Sequence, residues 1–368
     1  MQTFMCTCGN RLFFENSQCM QCKSETGFLP DQLILVPIKP VDDQCWESEQ
    51  VPDRLYRKCT NYTEHHVCNW MVEDEDDDEL CVSCRLNKII PDLSKPDNPK
   101  HWYRLERAKR RTLYSLLKIG LTIVDRKTDP DNGLEFCFME DVKKYDPYSQ
   151  ELVTYQQVMT GHQSGTITIN IQEADDSHRE AMRENMNEPY RTTLGHIRHE
   201  TGHYFWDRLI DDSPYLDEFR ELFGDERHDY QHSLKHYYQI GPKPHWQDNF
   251  ISAYASAHPW EDWAETWAHY LHINDTMETA YNYGFSIEGH AVQTPLALAE
   301  TDNLRVKHYL RAISFDEMLT DWLRLTIVMN ALNRSMGLRD AYPFSVSAKV
   351  GDKLRFVHLV IVNEVAKD

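Results

Sequence analysis

Within "GHIRHETGHYFWDRL" (residues 195–209), His199, Glu200 and His203 stand in the order H-E-x-x-H. On a helix, residues four apart share a face, so the two imidazoles can bind one metal ion together. Glu200 is rotated by about 100° from His199, which sets its carboxylate beside the metal rather than on it. There it can take a proton from a water molecule that zinc has made acidic. Gly202 leaves room for a close approach on the facing side. A centre of this kind needs a third ligand, and the stretch supplies none. Trp206 and Leu209 occupy the positions where a longer histidine motif would continue. His196, one turn before His199, reads as a supporting or cleft-lining group. The five-residue motif also arises by chance, and this chain has 18 histidines.

A carboxylate-rich segment follows about sixty residues later, in "HPWEDWAETWAHYLH". Glu261 and Glu265 are four apart and project from one helix face. One of them can bind the metal while the other orients a ligand histidine from behind. The other histidines read as packing or surface residues: His228, His232 and His236 in a stripe, His258 near Glu261, and His269 and His272 on the glutamate helix. Asp225 and Glu226, in "FGDERHDY", read as a solvated turn.

"HETGH" followed by "EDWAE" resembles the gluzincin metallopeptidases, and is similar above all to the lethal-factor group. That group has a tyrosine seven residues before its ligand glutamate and a second glutamate four residues after it. The matching positions are Tyr254, Glu261 and Glu265. The resemblance implies that Glu261 is the third ligand, that Glu265 stands behind a ligand histidine, and that Tyr254 supports the oxyanion. The wider text, "RTTLGHIRHETGHYFWDRL", "SAYASAHPWEDWAETWAHYLH" and "NRSMGLRDAYPF", resembles a family of bacterial zinc-binding metallopeptidases with an N-terminal zinc ribbon. The likeness covers nearly the whole chain. It implies a zincin-like domain that hydrolyses a peptide or isopeptide bond in a peptide or protein substrate.

Nine of the ten cysteines precede residue 85. Cys6, Cys8, Cys19 and Cys22 form two close pairs with a hairpin-length spacer, which suits one tetrahedral zinc ion. Cys59, Cys68, Cys81 and Cys84 form a looser quartet in which His65 or His66 could replace a cysteine. One catalytic zinc and one or two structural zincs are therefore expected. Cys45 and Cys137 read as small buried hydrophobes. Structural zinc suits a segment too small and polar to bury much core. Residues 1–95 carry 9 Lys/Arg against 17 Asp/Glu, including the acidic run "EDEDDDE" (residues 73–79), which reads as a solvated loop. That balance favours protein or intramolecular contact through the zinc-ribbon module over nucleic acid.

The net charge of −20 over 368 residues points the same way, because phosphate binding needs a basic surface. The short cluster Lys109, Arg110 and Arg111 reads as a solvated helix face. The N-terminal text has no signal-peptide pattern and no segment reaches the length of a membrane span, so the cytoplasm is expected. A Pro-rich joint at residues 92–99 divides a zinc-ribbon module (1–95) from a zincin-like domain (96–368). A helix is expected over about His101 to Ile119, strands in "GLTIVDR", "LEFCFMED" and "TITINI", and then helices, the first opened at Pro189. "KLRFVHLVIV" near the C-terminus reads as a strand. A small mixed sheet followed by helices makes an α+β fold. An edge strand at Thr166–Ile171 would hold an extended substrate. The competing reading is a zinc-stabilised interaction protein with a non-catalytic site. The intact set of His199, Glu200, His203 and Glu261 disfavours it.

Overall fold

Short strands and tight turns fill the cysteine-rich N-terminal segment. A hairpin pairs Phe4–Met5 with Arg11–Leu12, and a second pairs Thr26–Leu29 with Ile34–Pro37. Strands Lys39–Pro40, Trp46–Ser48, Val51–Lys58 and Met71–Glu73 form an antiparallel sheet. The computed structural model describes residues 2–145, 152–185, 188, 190–287, 304–305 and 314–367. The fold is α+β, in two units: residues 2–182 with 192–197, and residues 183–191 with 198–368.

In the first unit the Pro-rich joint leads into helix α1 (Asn98–Lys118), with Pro99 in its first turn where a missing N–H costs nothing. Phe14, Phe28, Trp70 and Tyr114 pack ring against ring, with centroids 4.7–5.9 Å apart for Phe28–Trp70, Phe14–Phe28, Phe14–Tyr114 and Phe28–Tyr114. This aromatic cluster joins the cysteine-rich segment to α1. The basic trio on α1 is not the expected solvated face. Lys109 and Arg110 are buried, and only Arg111 is partly exposed, paired with Glu15. Partners explain the burial. Lys109 reaches Glu106 at 3.0 Å and the Asn87 side chain, while Arg110 donates to the Val67 carbonyl. Asn87 and Trp102 donate to the same Glu106 oxygen at 2.7 and 3.1 Å.

The mixed sheet of this unit comprises β1 (Asn87–Ile89), β2 (Glu135–Met139), β3 (Gly161–Gln163) and β4 (Thr166–Asn170), in the order β3-β4-β2-β1. β2 is parallel to β1 and β4, and β3 is antiparallel to β4. The period-two strand β4 is thus internal rather than an edge: Gly165, at φ +80°, turns the chain so that β3 pairs along its outer side. "GLTIVDR" forms no strand. Gly120, at φ +94°, ends α1, and the segment contributes only an isolated bridge from Asp125 to Leu134. Cys137 is buried on β2, as expected. Cys45 is partly exposed instead, and its thiol faces the Asp74 carboxylate at 3.3 Å. Most of the acidic run is exposed, while Asp76 and Asp78 anchor Arg85 and Lys127.

Helices dominate the rest: α2 (Asp176–Asn185), α3 (Thr193–Leu209), α4 (Leu216–Phe223), α5 (Tyr230–Ile240), α6 (Pro259–Asn282), α7 (Phe315–Ser335) and α8 (Ala348–Val365). Pro189, expected to open the motif helix, lies outside the described residues. α3 begins at Thr193, and the Thr192 hydroxyl accepts from Gly195 N at 2.9 Å. α4 starts after Ser213-Pro214 and ends at Gly224, whose φ of +105° suits glycine.

The C-terminal text is helix α8, not a strand. Ser347 caps it, with its side chain accepting from Val350 N. Val350, Lys353, Leu354, Val357, Val360 and Ile361 are buried at helical spacing. The β-branched run reads as a strand only while this 3.6-residue pattern is overlooked. Lys353 Nζ meets Asp262 Oδ2 at 2.5 Å and fastens α8 to α6. Among the described residues no helix is long and apolar enough to cross a membrane.

Candidate metal centre

Helices α3 and α6 cross where neither can carry a large side chain. A Cβ built on Gly202 would sit 2.9 Å from the Ala264 Cα and 3.2 Å from both the Ala264 carbonyl and the Trp267 Cβ. Trp263 Nε1 donates to the Gly202 carbonyl at 2.8 Å and fixes the crossing. This contact brings the motif helix and the carboxylate helix together in register.

His199 Nε2 and His203 Nε2 are 3.2 Å apart. Glu261 Oε2 lies 3.0 Å from the first, and Glu261 Oε1 lies 3.6 Å from the second. A tetrahedral zinc site with bonds of about 2.0–2.1 Å has edges of about 3.3 Å, so the three groups are spaced as ligands of one ion. The donor set fits as well. Glu261 is almost wholly buried, and among the described residues its Oε2 has no hydrogen-bond donor other than the ring nitrogen it faces. On its other edge, His199 Nδ1 contacts Glu265 Oε1 at 2.7 Å. With its proton committed there, His199 Nε2 turns a lone pair toward the other two groups.

The electrostatics call for a positive charge at this point. Burial pushes the pKa of His199 down, but the carboxylates of Glu261 and Glu265 outweigh it and lift it well above the usual histidine range. Burial alone would raise Glu261, and the imidazoles of His203 and His199 pull it well below the carboxylate range. Glu265 is likewise lowered to about 2 despite burial, through His199 and the Ser252 hydroxyl, which donates to Oε2 at 2.5 Å.

Glu200 is buried on α3 and is not among the converging ligand atoms. Its charge reaches both Tyr230 and Tyr254. Tyr254 opens the 3-10 turn Tyr254–Ser256 that precedes α6, with its ring 5.9 Å from that of His199. Sequence reasoning missed Tyr230, the first residue of α5. Its hydroxyl donates to Glu261 Oε1 at 2.6 Å. It also missed Ser252, and no spacing rule marks either residue.

The remaining histidines stand elsewhere. His258 caps α6, accepting from Trp260 N at 3.1 Å and donating to the His228 carbonyl at 3.0 Å. His232 and His236 stack on the exposed side of α5. His196 pairs with Glu173 at 2.9 Å, and His269 with the Tyr342 hydroxyl at 2.8 Å. His272 meets Arg198 at 2.7 Å. Asp225 and Glu226 are held by Arg227 and Arg220.

Both cysteine quartets close. Sγ atoms of Cys6 and Cys22 are 3.5 Å apart, those of Cys8 and Cys19 3.7 Å, and those of Cys68 and Cys81 3.7 Å. Four thiolates at about 2.3 Å from zinc lie about 3.8 Å apart, so this spacing suits the ion. All four cysteines of the second quartet converge. His65 and His66 therefore do not replace one: His65 packs on Trp102 and His66 Nδ1 faces the Tyr62 carbonyl. Backbone amides around Cys22 lower Cys19 to about 6, which favours the thiolate.

A fold with two cysteine quartets and a buried two-histidine, one-glutamate cluster defines a zinc-binding protein of α+β class. The chain belongs to a family described as "Putative zinc-binding metallo-peptidase", whose profile matches residues 98–360, while residues 3–95 match a zinc-ribbon domain. Relatives include uncharacterised proteins of Mycobacterium bovis and of two Mycobacterium tuberculosis strains. Each is 40% identical over 372 residues, covering 100% of this chain and 97% of the relative. No solved structure matches the chain.

Proposed function

We propose that the chain is a zinc-dependent peptidase in which His199, His203 and Glu261 hold the metal and Glu200 moves the proton. The observation that carries this reading is the convergence of His199 Nε2, His203 Nε2 and the Glu261 carboxylate within 3.0–3.6 Å, next to a buried Glu200 on the same helix. A zinc ion held there would supply Lewis acidity that makes water nucleophilic near neutral pH. Glu200 accepts the proton of the attacking water at a carboxylate oxygen, then delivers it to the leaving amine. Glu265 keeps the His199 ring oriented through Nδ1, and Ser252 keeps Glu265 in place. Tyr254 donates its hydroxyl to the developing oxyanion. Burial holds its pKa well above the usual range, so the phenol stays a donor.

The substrate in this reading is a peptide or protein chain, cleaved at a peptide or isopeptide bond. The two quartets hold structural zinc, giving three ions in all. Metal counting on Glu261→Ala tests the ligand set. The expected result is loss of one zinc of three with both cysteine sites filled, and full zinc content would overturn it.

A further inference from the structure

Helix α5 has no buried residue, yet it touches the metal centre at two points. Tyr230, its first residue, donates to Glu261 Oε1 at 2.6 Å, and its ring is flanked by those of His258 and Trp260 at 5.2 and 5.7 Å. Seven residues on, on the same helix face, the Tyr237 ring meets that of Tyr254 edge to face, with centroids 5.6 Å apart. Asp229 fixes the start of the helix, accepting from His232 N at 2.9 Å.

A carboxylate ligand can engage a metal through one oxygen or two, and a hydrolytic centre needs one coordination position left open. The two oxygens of Glu261 are not equivalent. Oε2 stands nearest His199 Nε2, at 3.0 Å, while Oε1 is taken by the Tyr230 hydroxyl at 2.6 Å. We propose that Tyr230 is a positioning residue that holds Glu261 Oε1 away from the metal, so that Glu261 ligates through Oε2 alone and one position stays open for water or substrate. This rests on the peptidase reading above and adds to it a residue outside both motifs. Without the phenol hydroxyl, Oε1 is released, Glu261 becomes bidentate, and the open position closes.

Tyr230→Phe tests this while keeping the ring between His258 and Trp260. The protein is prepared with zinc in both cysteine quartets and cobalt(II) in the histidine site, and the visible spectrum is read as a difference against Glu261→Ala. A four-coordinate cobalt centre absorbs more strongly in its d–d bands than one of higher coordination number. The expected result is weaker d–d bands in Tyr230→Phe than in wild type, with kcat lower by about 10–100-fold and KM nearly unchanged. The melting temperature and the zinc in the quartets stay at wild-type values, which separates positioning from folding. An unchanged spectrum overturns the proposal, whether kcat is retained or lost, and leaves the peptidase reading standing. Failure of the wild-type chain to take cobalt at this site sinks both.

Discussion

Glu265 Oε1 meets His199 Nδ1 at 2.7 Å, on the ring edge opposite the one that faces His203 and Glu261. The carboxylate fixes both the tautomer and the direction of the ring, so it acts on the metal without touching it. Glu265→Gln keeps the shape and removes the charge. Its zinc affinity at the histidine site should fall by about 10–100-fold, read by chelator competition. Equal affinities in variant and wild type would remove Glu265 from the account.

Gly202 marks the closest approach of α3 and α6, and what a side chain would meet there is Ala264 backbone. Gly202→Ala gains helix propensity of about 1 kcal/mol but must push the helices apart. The expected net cost is about 1–3 kcal/mol in chemical denaturation, and Gly202→Val should cost more. A stabilised Gly202→Ala protein would show that the helices separate freely.

The buried pair of Lys353 and Asp262 joins α8 to α6. Burial raises Asp262 to about 7 even though Lys353 opposes the shift. Lys353→Met leaves that carboxylate without its partner and should cost about 3–5 kcal/mol where Asp262 is ionised. The loss should be larger at pH 8 than at pH 6, because protonation of Asp262 relieves it. Adding Asp262→Leu should recover much of the stability. Loss of the same size at both pH values would contradict the assignment.

Acid should weaken the fold through His269. Burial lowers it to about 4, below its unfolded value near 6.5. Between those values the unfolded chain binds more protons than the folded one, so stability falls as pH drops from 6.5 to about 4. The contribution reaches about 3 kcal/mol at the acid end. In metal-saturated protein, His269→Gln should flatten this slope by about one proton's worth. A slope that does not change would assign the acid sensitivity to other groups.

Much of the centre was legible because helices turn spacing into direction. His199 and His203, like Glu261 and Glu265, are four apart, and one face follows from that alone. The cysteine quartets were legible because four thiolates around zinc need little beyond two close pairs and a turn. Tyr230 was not legible. It is one of 19 tyrosines, it lies 31 residues from Glu261, and only the path of α5 brings it there.

The misread segments share a cause. Lys109 and Arg110 looked solvated because their partners, Asn87 and the Val67 carbonyl, are remote in sequence. The C-terminal helix looked like a strand because Val and Ile carry β propensity. Burial against the neighbouring helices decides its conformation, and the spacing from Val350 to Ile361 records it. β4 alternated as expected, but alternation does not say whether a neighbour covers its outer side. Here β3 does.

Whether Glu200 moves the proton in a zinc-dependent peptidase is decided by peptide hydrolysis by the zinc-loaded chain beside Glu200→Gln, over an unbiased peptide library and with zinc counted in both proteins. The variant should keep its full zinc content while turnover falls by about 10²–10⁴-fold, the usual contribution of a positioned acid–base group. Turnover in Glu200→Gln equal to wild type, or no cleavage by the zinc-loaded wild-type chain, would contradict that role.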